Sequence, residues 1–468
     1  MKKATKNQWI LFSIVTILYL AFTIWDGNYW LLLGIPVIFD IYISKFIPWG
    51  AWKNPKNKSL KKVAEWVDAI LFALVAVYII NLFIFQMYKI PSPSLEKSLL
   101  VGDYLMVNKL SYGPRVPNTP LSFPLVQHTF PIINTKSYID WPHWDYKRLK
   151  GLGQVKRNDI VVFNYPAGDT VALNSPSNQD YYFSVRHYGR ERVWSDKEMF
   201  GDIVYRPVDR RENYVKRCIG LPGDSLQIIN NEVYINGTHL PLPKNAQFNY
   251  FVETQGGLLT ERQLRTLDVS VDDQHLVNNF QNASYFLEEV GIEKNTDGSF
   301  NPVYWIPLTK DALQKLEKNG WARSIHIEPD SISGGDDMYP YVDSLGWKRD
   351  NYGPIWIPRK GVTVELNDKN LALYSRCIVA YEGNTLEKKD NQLLINGSPA
   401  TTYTFKYDYY FMMGDNRHNS QDSRSWGFVP EDHIVGKPIL IWLSTDKDRG
   451  LFDGGIRWNR IFRLPSKE

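Results

Sequence analysis

Apolar and polar positions along the chain change their rhythm once. Up to about residue 87 the apolar residues run together, and beyond it they alternate in short bursts between turn signals. Trp9–Trp25 is an uncharged apolar run. Tyr29–Phe46 is a second, interrupted by Asp40 and Lys45. Val67–Phe85 is a third, with Asp68 near its start and Asn81 inside. A helix needs ~20 apolar residues to cross ~30 Å of hydrocarbon, and each run approaches that length. Trp and Tyr flank all three, where amphipathic rings favour the interface. The pattern therefore predicts three transmembrane α-helices. A cleaved signal peptide is the competing reading of the first run. It is disfavoured because a second apolar run follows at once and no clear small-x-small site intervenes. The second run could also lie in the interface, since Asp40 is costly in lipid.

Lysine placement orients the spans. Lys2, Lys3 and Lys6 precede the first, and Lys53, Lys56, Lys58, Lys61 and Lys62 lie between the second and third. The positive-inside rule puts both stretches in the cytoplasm. The Asp26–Asn28 turn and everything after Gln86 are then outside. The expected location is a plasma or inner membrane, multi-pass, with an extracytoplasmic domain held at its surface.

From Tyr88 onward the pattern predicts a mainly β domain of antiparallel sheets. Asp159–Pro166, Ser225–Leu242 and His433–Ser444 read as strands, and the Asn-Asn and Asn-Gly pairs in the second read as hairpin turns. Leu308–Asn319 has the spacing of a surface helix and meets a glycine stop at Gly320. The division expected is 1–63 for a transmembrane hairpin and basic loop and 64–87 for the third span. The β-rich core takes 88–116, 155–166, 213–243 and 354–468. The stretches 117–154, 167–212 and 244–353, rich in Asn, Asp, Pro and aromatics, carry no motif and read as insertions.

Composition narrows the chemistry. In 468 residues, 44% are hydrophobic and 22% charged, so disorder is excluded. A net charge of +4 is too balanced to suggest nucleic acid. Two cysteines, Cys218 and Cys377, exclude a disulfide-dense scaffold, and no HExxH or paired His/Cys spacing appears. Neither a metal nor an organic cofactor is expected.

Three segments outside the third span carry polar chemistry. Tyr88–Gly113 places Ser92 and Ser94 beside the membrane. Asn213–Leu226 sets Lys216 in an apolar strand before a Pro-Gly-Asp turn. Phe411–Pro430 is dense in Asp, Asn, Arg and Ser. Alone, each has an ordinary explanation: a Ser-Pro turn, a solvent-facing lysine, a loop closure. In order and in letters, however, the three resemble the signature boxes of type I signal peptidases, the membrane-anchored Ser–Lys proteases. Lys156–Pro166, Val429–Ser444 and Ile456–Leu464 match as well.

The resemblance implies Ser94 as nucleophile and Lys216 as general base. It implies Ser92 beside the Ser94 N–H in an oxyanion hole, Ser420 orienting the lysine amine, and an Asp422–Arg424 ion pair shaping the site. It further implies cleavage after small-x-small sites of signal-peptide-bearing preproteins, with lipid and the secretion translocon as surroundings. Ile90, Leu95 and Leu99, with Tyr214 and Val215 on a strand edge, would receive the peptide. Pro93, Leu95, Lys97 and Ser98 stand where the family commonly has Gly, Met, Pro and Thr, and Pro93 bears on the oxyanion geometry.

An ordinary lysine, pKa ~10.4, is neutral in only about one molecule in a thousand near pH 7.5. A lysine base therefore requires burial, and Asp422 should face Arg424 rather than Lys216. Two other readings remain: a Ser–His–Asp hydrolase using His418 with Asp415 or Asp422, and a non-catalytic exported β-rich module. Cys218, on the same side of the strand as Lys216, is expected to be reduced rather than paired with Cys377.

Overall fold

The computed structural model describes residues 4–465, apart from 54, 56, 134, 176–179, 333–337, 391, 447–448 and 451–453. Lys2, Lys3 and Lys56 lie outside the described residues. The chain forms two compact units. One holds residues 1–86 and 109–153, the other residues 87–108 and 154–468.

In the first unit, helix α1 (Lys6–Asp26) opens with a capping box. Thr5 Oγ1 accepts from Gln8 N–H while the Gln8 side chain accepts from the Thr5 N–H. The helix stops where Gly27 takes a left-handed conformation, φ 70°. Helix α2 (Lys58–Phe83) is capped by Asn57, which accepts from Ser59 N–H. Among the described residues these two helices are long and apolar enough to cross a membrane.

Of the three spans expected from the sequence, two are helices of full crossing length and the other is shorter. The middle run, Tyr29–Ser44, is a shorter chain of 3-10, α and π turns. Asp40 supplies the reason. Its carboxylate draws in the N–H groups of Phe46 and Ile47 and the Trp49 indole, at 2.8, 3.0 and 2.9 Å, and the chain turns off there. The middle run nevertheless packs back along α1. The Tyr19 hydroxyl donates to Leu31 O at 2.6 Å, and Phe39 meets the rings of Phe12 and Trp9, 5.6 and 6.4 Å away, near the start of α1. At the far end, Phe83 contacts Phe22 and Trp25. The carboxyl ends of α1 and α2 are therefore neighbours.

The second unit is built on a seven-stranded sheet. Its strands are β1 (Phe85–Lys89), β2 (Asp103–Asn108), β3 (Ile160–Asn164), β4 (Asn213–Gly220), β5 (Tyr409–Met413), β6 (Val429–Pro430) and β7 (Ile434–Ser444), in the order β1-β2-β7-β3-β4-β5-β6. The pairs β2–β7, β7–β3, β3–β4, β4–β5 and β5–β6 are antiparallel. The mainly β, antiparallel reading holds. Strand β2 alternates buried and half-buried residues, the period-2 signature of a one-faced strand. Ile90, Leu95, Leu99, Leu105, Val107, Ile160 and Val162 form one core under it. A second core gathers Ile219, Tyr352, Tyr409 and Phe411.

The expected hairpins form at Ser225–Ile229, Glu232–Ile235 and Thr238–Leu240. Asn230 and Asn231 turn the first through positive φ, which asparagine tolerates better than most residues. The surface helix appears at Lys310–Lys318. Within 244–353 the chain builds a four-stranded sheet in the order His275–Leu276, Val303–Thr309, Gln247–Thr254, Ala322–Ile327. It has its own core of Val252, Ile306, Leu308 and Leu316.

Candidate active site

Three segments distant in sequence meet around strand β4, in the interior of the large sheet. Strand β1 leads into Ser92, whose extended backbone (φ −128°, ψ 152°) is what a residue before proline adopts. Pro93 opens a 3-10 turn, Pro93–Leu95, where its fixed φ suits the first helical position. The turn closes with Glu96 N–H donating to Pro93 O at 2.9 Å. Ser94 sits in the middle of this turn and is 6% exposed. The Ser92 and Ser94 hydroxyl oxygens are 3.4 Å apart. Proline between the two serines is thus accommodated.

Strand β4 supplies the amine. Lys216, 3% exposed, donates from Nζ to Ser94 Oγ at 2.5 Å. Burial pushes its pKa down to about 8. The Asp422 and Asp415 charges oppose the shift and the Arg424 charge assists it. Desolvation therefore dominates, as removal of an ammonium from water should.

The polar loop after β5 forms the third side. Gly414 is required there. A Cβ on it would fall 2.6 Å from Ser94 O and 2.3 Å from Ser420 Oγ. Asn416 N–H donates to Ser94 O at 3.1 Å, tying the loop to the serine turn. Asp422 and Arg424 form the expected pair. Arg424 Nε and Nη2 donate to the two carboxylate oxygens at 2.9 and 2.8 Å. Burial alone would raise the Asp422 pKa, but Arg424 and the Gly414 N–H hold it below the ordinary value. Ser420 lies against Gly414, and its hydroxyl donates to Gln421 O at 3.3 Å.

Ile90, Leu95 and Leu99 are buried and pack together with the half-buried Val215. Tyr214 stacks on Trp426, ring centroids 5.6 Å apart, and meets the Tyr165 ring edge-on. Burial pushes its phenol up to about 12. On one side β4 pairs with β3 from Asn213 to Arg217. On the other, β5 pairs it only from Arg217 to Gly220. Cys218 and Cys377 are free and buried, as expected, and desolvation raises both thiol pKa values.

His418 is not near the nucleophile's proton. Its side chain is fully shielded, with Nε2 3.1 Å from Asn231 Oδ1 and 3.2 Å from Asp350 Oδ1, while Asn249 N–H donates to Nδ1 at 3.3 Å. Asp415 is also engaged elsewhere. It accepts from Arg217 Nε and Nη2 at 2.7 and 2.6 Å and from the Ser98 hydroxyl at 2.6 Å, with both charged side chains fully buried. The Ser–His–Asp arrangement is therefore not formed.

Sequence reading passed over that Arg217–Asp415–Ser98 trio, although opposite charges embedded in two of the motifs were a signal. It also passed over the contribution of 244–353. Gln247 N–H donates to Asp415 O and Arg417 N–H to Gln247 O, both at 2.9 Å, and Asn245 Nδ2 donates to Ser98 Oγ at 3.3 Å. Lys97 pairs with Asp268 at 3.4 Å. Nothing in the sequence alone joined these positions to the motifs. Among the described residues no cluster of His, Cys, Asp and Glu could hold a metal ion.

A family model described as signal peptidase, peptidase S26, matches residues 63–289 and 402–443. A signal peptidase I of Buchnera aphidicola subsp. Acyrthosiphon pisum is 25% identical over 462 residues, 96% of this chain and 98% of that protein. The signal peptidase I of Haemophilus influenzae is 20% identical over 88% of this chain and 78% of its own length. That of Aquifex aeolicus is 67% identical over 36 residues, 8% of this chain and 14% of the relative.

Proposed function

We propose, for a chain that belongs to the signal peptidase, peptidase S26, family and is thus a serine peptidase, that it removes signal peptides from exported preproteins with a Ser94–Lys216 dyad. The observation that carries this reading is the 2.5 Å bond from Lys216 Nζ to Ser94 Oγ, with both groups buried. A base must be neutral to accept a proton. At pH 7.5 a lysine of pKa about 8 is neutral in about one molecule in four, against about one in a thousand for an ordinary lysine.

In the first step, Ser94 Oγ attacks the scissile carbonyl as Lys216 takes its proton. The tetrahedral oxyanion is received by the Ser94 N–H and the Ser92 hydroxyl, donors aimed where charge develops. Collapse expels the new amino terminus, to which Lys216 returns the proton, leaving the signal peptide esterified to Ser94. Water then attacks the ester, again with Lys216 as base. The Ser420 hydroxyl, which donates to Gln421 O, reaches the amine only by rotating out of that bond, and the Arg424 charge offsets the pull of Asp422 that would otherwise keep the lysine protonated.

The substrate adds as a strand along the Asn213–Lys216 edge of β4, which β5 leaves unpaired among the described residues. Ile90, Leu95, Leu99 and Val215 pack there as a closed core, which leaves no depth for a large side chain and so favours small-x-small sites. The amino terminus and the basic stretch of Lys53, Lys61 and Lys62, the last two near the start of α2, are cytoplasmic, and the catalytic unit is exported. Adjacent carboxyl ends of α1 and α2 support an odd number of crossings, with Tyr29–Ser44 returning between them.

The test is direct. Detergent-purified protein is incubated with a preprotein, and the product's new amino terminus is sequenced. Cleavage after a small-x-small site upholds the reading. An intact preprotein, or cleavage elsewhere, overturns it.

A further inference from the structure

Residues 109–153 belong to the same compact unit as the apolar helices, not to the unit that holds the catalytic residues. They are tied to the exit ends of both helices. The Trp25 indole, in the last turn of α1, donates to Lys150 O at 3.0 Å, and Lys147 Nζ is 3.4 Å from Asp26 Oδ2. The Tyr78 hydroxyl donates to Pro120 O at 2.5 Å. Tyr78 lies five residues before the end of α2, about 7 Å down the helix axis at ~1.5 Å per residue. The lobe therefore hangs beside the last turns of the helices rather than standing clear of them.

What it presents there is apolar. Leu121, Phe123, Leu125, Ile132, Ile133 and Trp141 are all exposed, Ile132 at 94% and Trp141 at 80%. Single exposed apolar residues are ordinary, but this many within one short lobe need a partner. Its backbone suits a water-poor setting. Phe123 N–H donates to Ser137 O, Ile139 N–H to Leu121 O, Phe130 N–H to Thr135 O and Ser137 N–H to His128 O, at 2.8 to 3.0 Å. A hairpin paired this way carries its side chains into the interface without stranding those amides.

We propose that residues 117–153 form a membrane-seated lobe, whose apolar side chains enter the outer interfacial layer of the bilayer beside α1 and α2. Lipid is the occupant because the lobe is continuous with the helices that lipid surrounds and is fastened at their interfacial depth. This inference rests on the membrane-anchored reading above but not on the dyad. The lobe anchors the exit side of the helices and fixes the level at which the chain leaves the bilayer.

The native thiols are buried, so an introduced surface cysteine can be labelled selectively. The full chain carrying Ile132→Cys or Leu121→Cys, labelled with a polarity-sensitive fluorophore, is reconstituted in phosphatidylethanolamine–phosphatidylglycerol vesicles. Glu387→Cys, exposed on a hairpin of the other unit, is the control. The lobe labels should be quenched by lipids with a nitroxide on the acyl chain. They should be quenched about threefold less by aqueous iodide than the control, as expected for interfacial burial. Lobe labels as open to iodide as the control overturn the proposal. So do labels shielded from iodide but untouched by nitroxide lipid, which would mean a protein partner. Preprotein cleavage by the unlabelled chain, measured in parallel, separates failure of the lobe from failure of the peptidase reading.

Discussion

Lys216 donates a 2.5 Å hydrogen bond to Ser94 across 122 positions of sequence, and both side chains are shut away from water. The bond joins a strand in the middle of the sheet to a 3-10 turn after its first strand. The same burial that disfavours the ammonium directs its lone pair, once neutral, at the serine proton.

Ser94→Ala and Lys216→Ala should each abolish cleavage, because members of a nucleophile–base pair act as a unit. Lys216→Arg should be as inactive, since arginine does not deprotonate. Product formation from a preprotein, followed by gel or mass, checks this. Residual turnover in Lys216→Ala close to the unmodified rate would remove lysine from the mechanism.

Activity should rise with pH through about 8. The folded pKa is depressed, so between about 8 and 10.5 the unfolded chain binds more protons than the folded one, and stability rises with pH over that window as well. Glu96 provides the control. Burial, assisted by Asp273 and Asp268, pushes it up to about 7. Glu96→Gln should leave the rising limb where it is, and a limb that disappears with that substitution would assign it to the carboxyl.

Removing one partner of the Arg217–Asp415 pair should be costly. Both side chains are fully buried, and an uncompensated buried charge typically costs about 3–5 kcal/mol. Arg217→Met and Asp415→Asn should each lower the urea midpoint sharply. The double variant should lose less than the sum, because neither charge is then stranded. Additive losses would show that the two charges are energetically independent.

His418→Ala should cost stability, about 1–3 kcal/mol for its lost buried hydrogen bonds, yet preserve most of the turnover of molecules that remain folded. The pH limb near 8 should stay. Loss of activity with unchanged thermal stability would restore histidine to the chemistry.

Reporter fusions after Asp26 and after Asn108 should both report outside, and one after Lys58 inside, as the lysine distribution requires. A cytoplasmic report at Asn108 would remove the exported-peptidase reading altogether.

How much of this the chain spells out depends on the range of the interaction concerned. Apolar runs, alternating strands, Asn-Asn and Asn-Gly turns and the glycine after Lys310–Lys318 are local, governed by backbone sterics and short-range burial. The strands stood in the sequence within a few residues of their observed bounds, whereas α2 begins at Lys58, nine residues before the apolar run that starts at Val67. The candidate residues Ser92, Ser94, Lys216, Ser420, Asp422 and Arg424 were legible only through the resemblance of three segments, in order and in letters, to the signature boxes of type I signal peptidases; the pattern alone offered an ordinary explanation for each segment. What needed the tertiary structure were relationships between segments far apart. Asp40 diverts Tyr29–Ser44 by capturing amides that follow it. His418 leaves the chemistry because Asn231, Asn249 and Asp350 converge on it from three other segments. Arg217 meets Asp415 across 198 positions. The Gln247 strand grips the loop that touches Ser94. Each depends on which backbones approach one another in space, and side-chain identity constrains that only through packing of the whole chain.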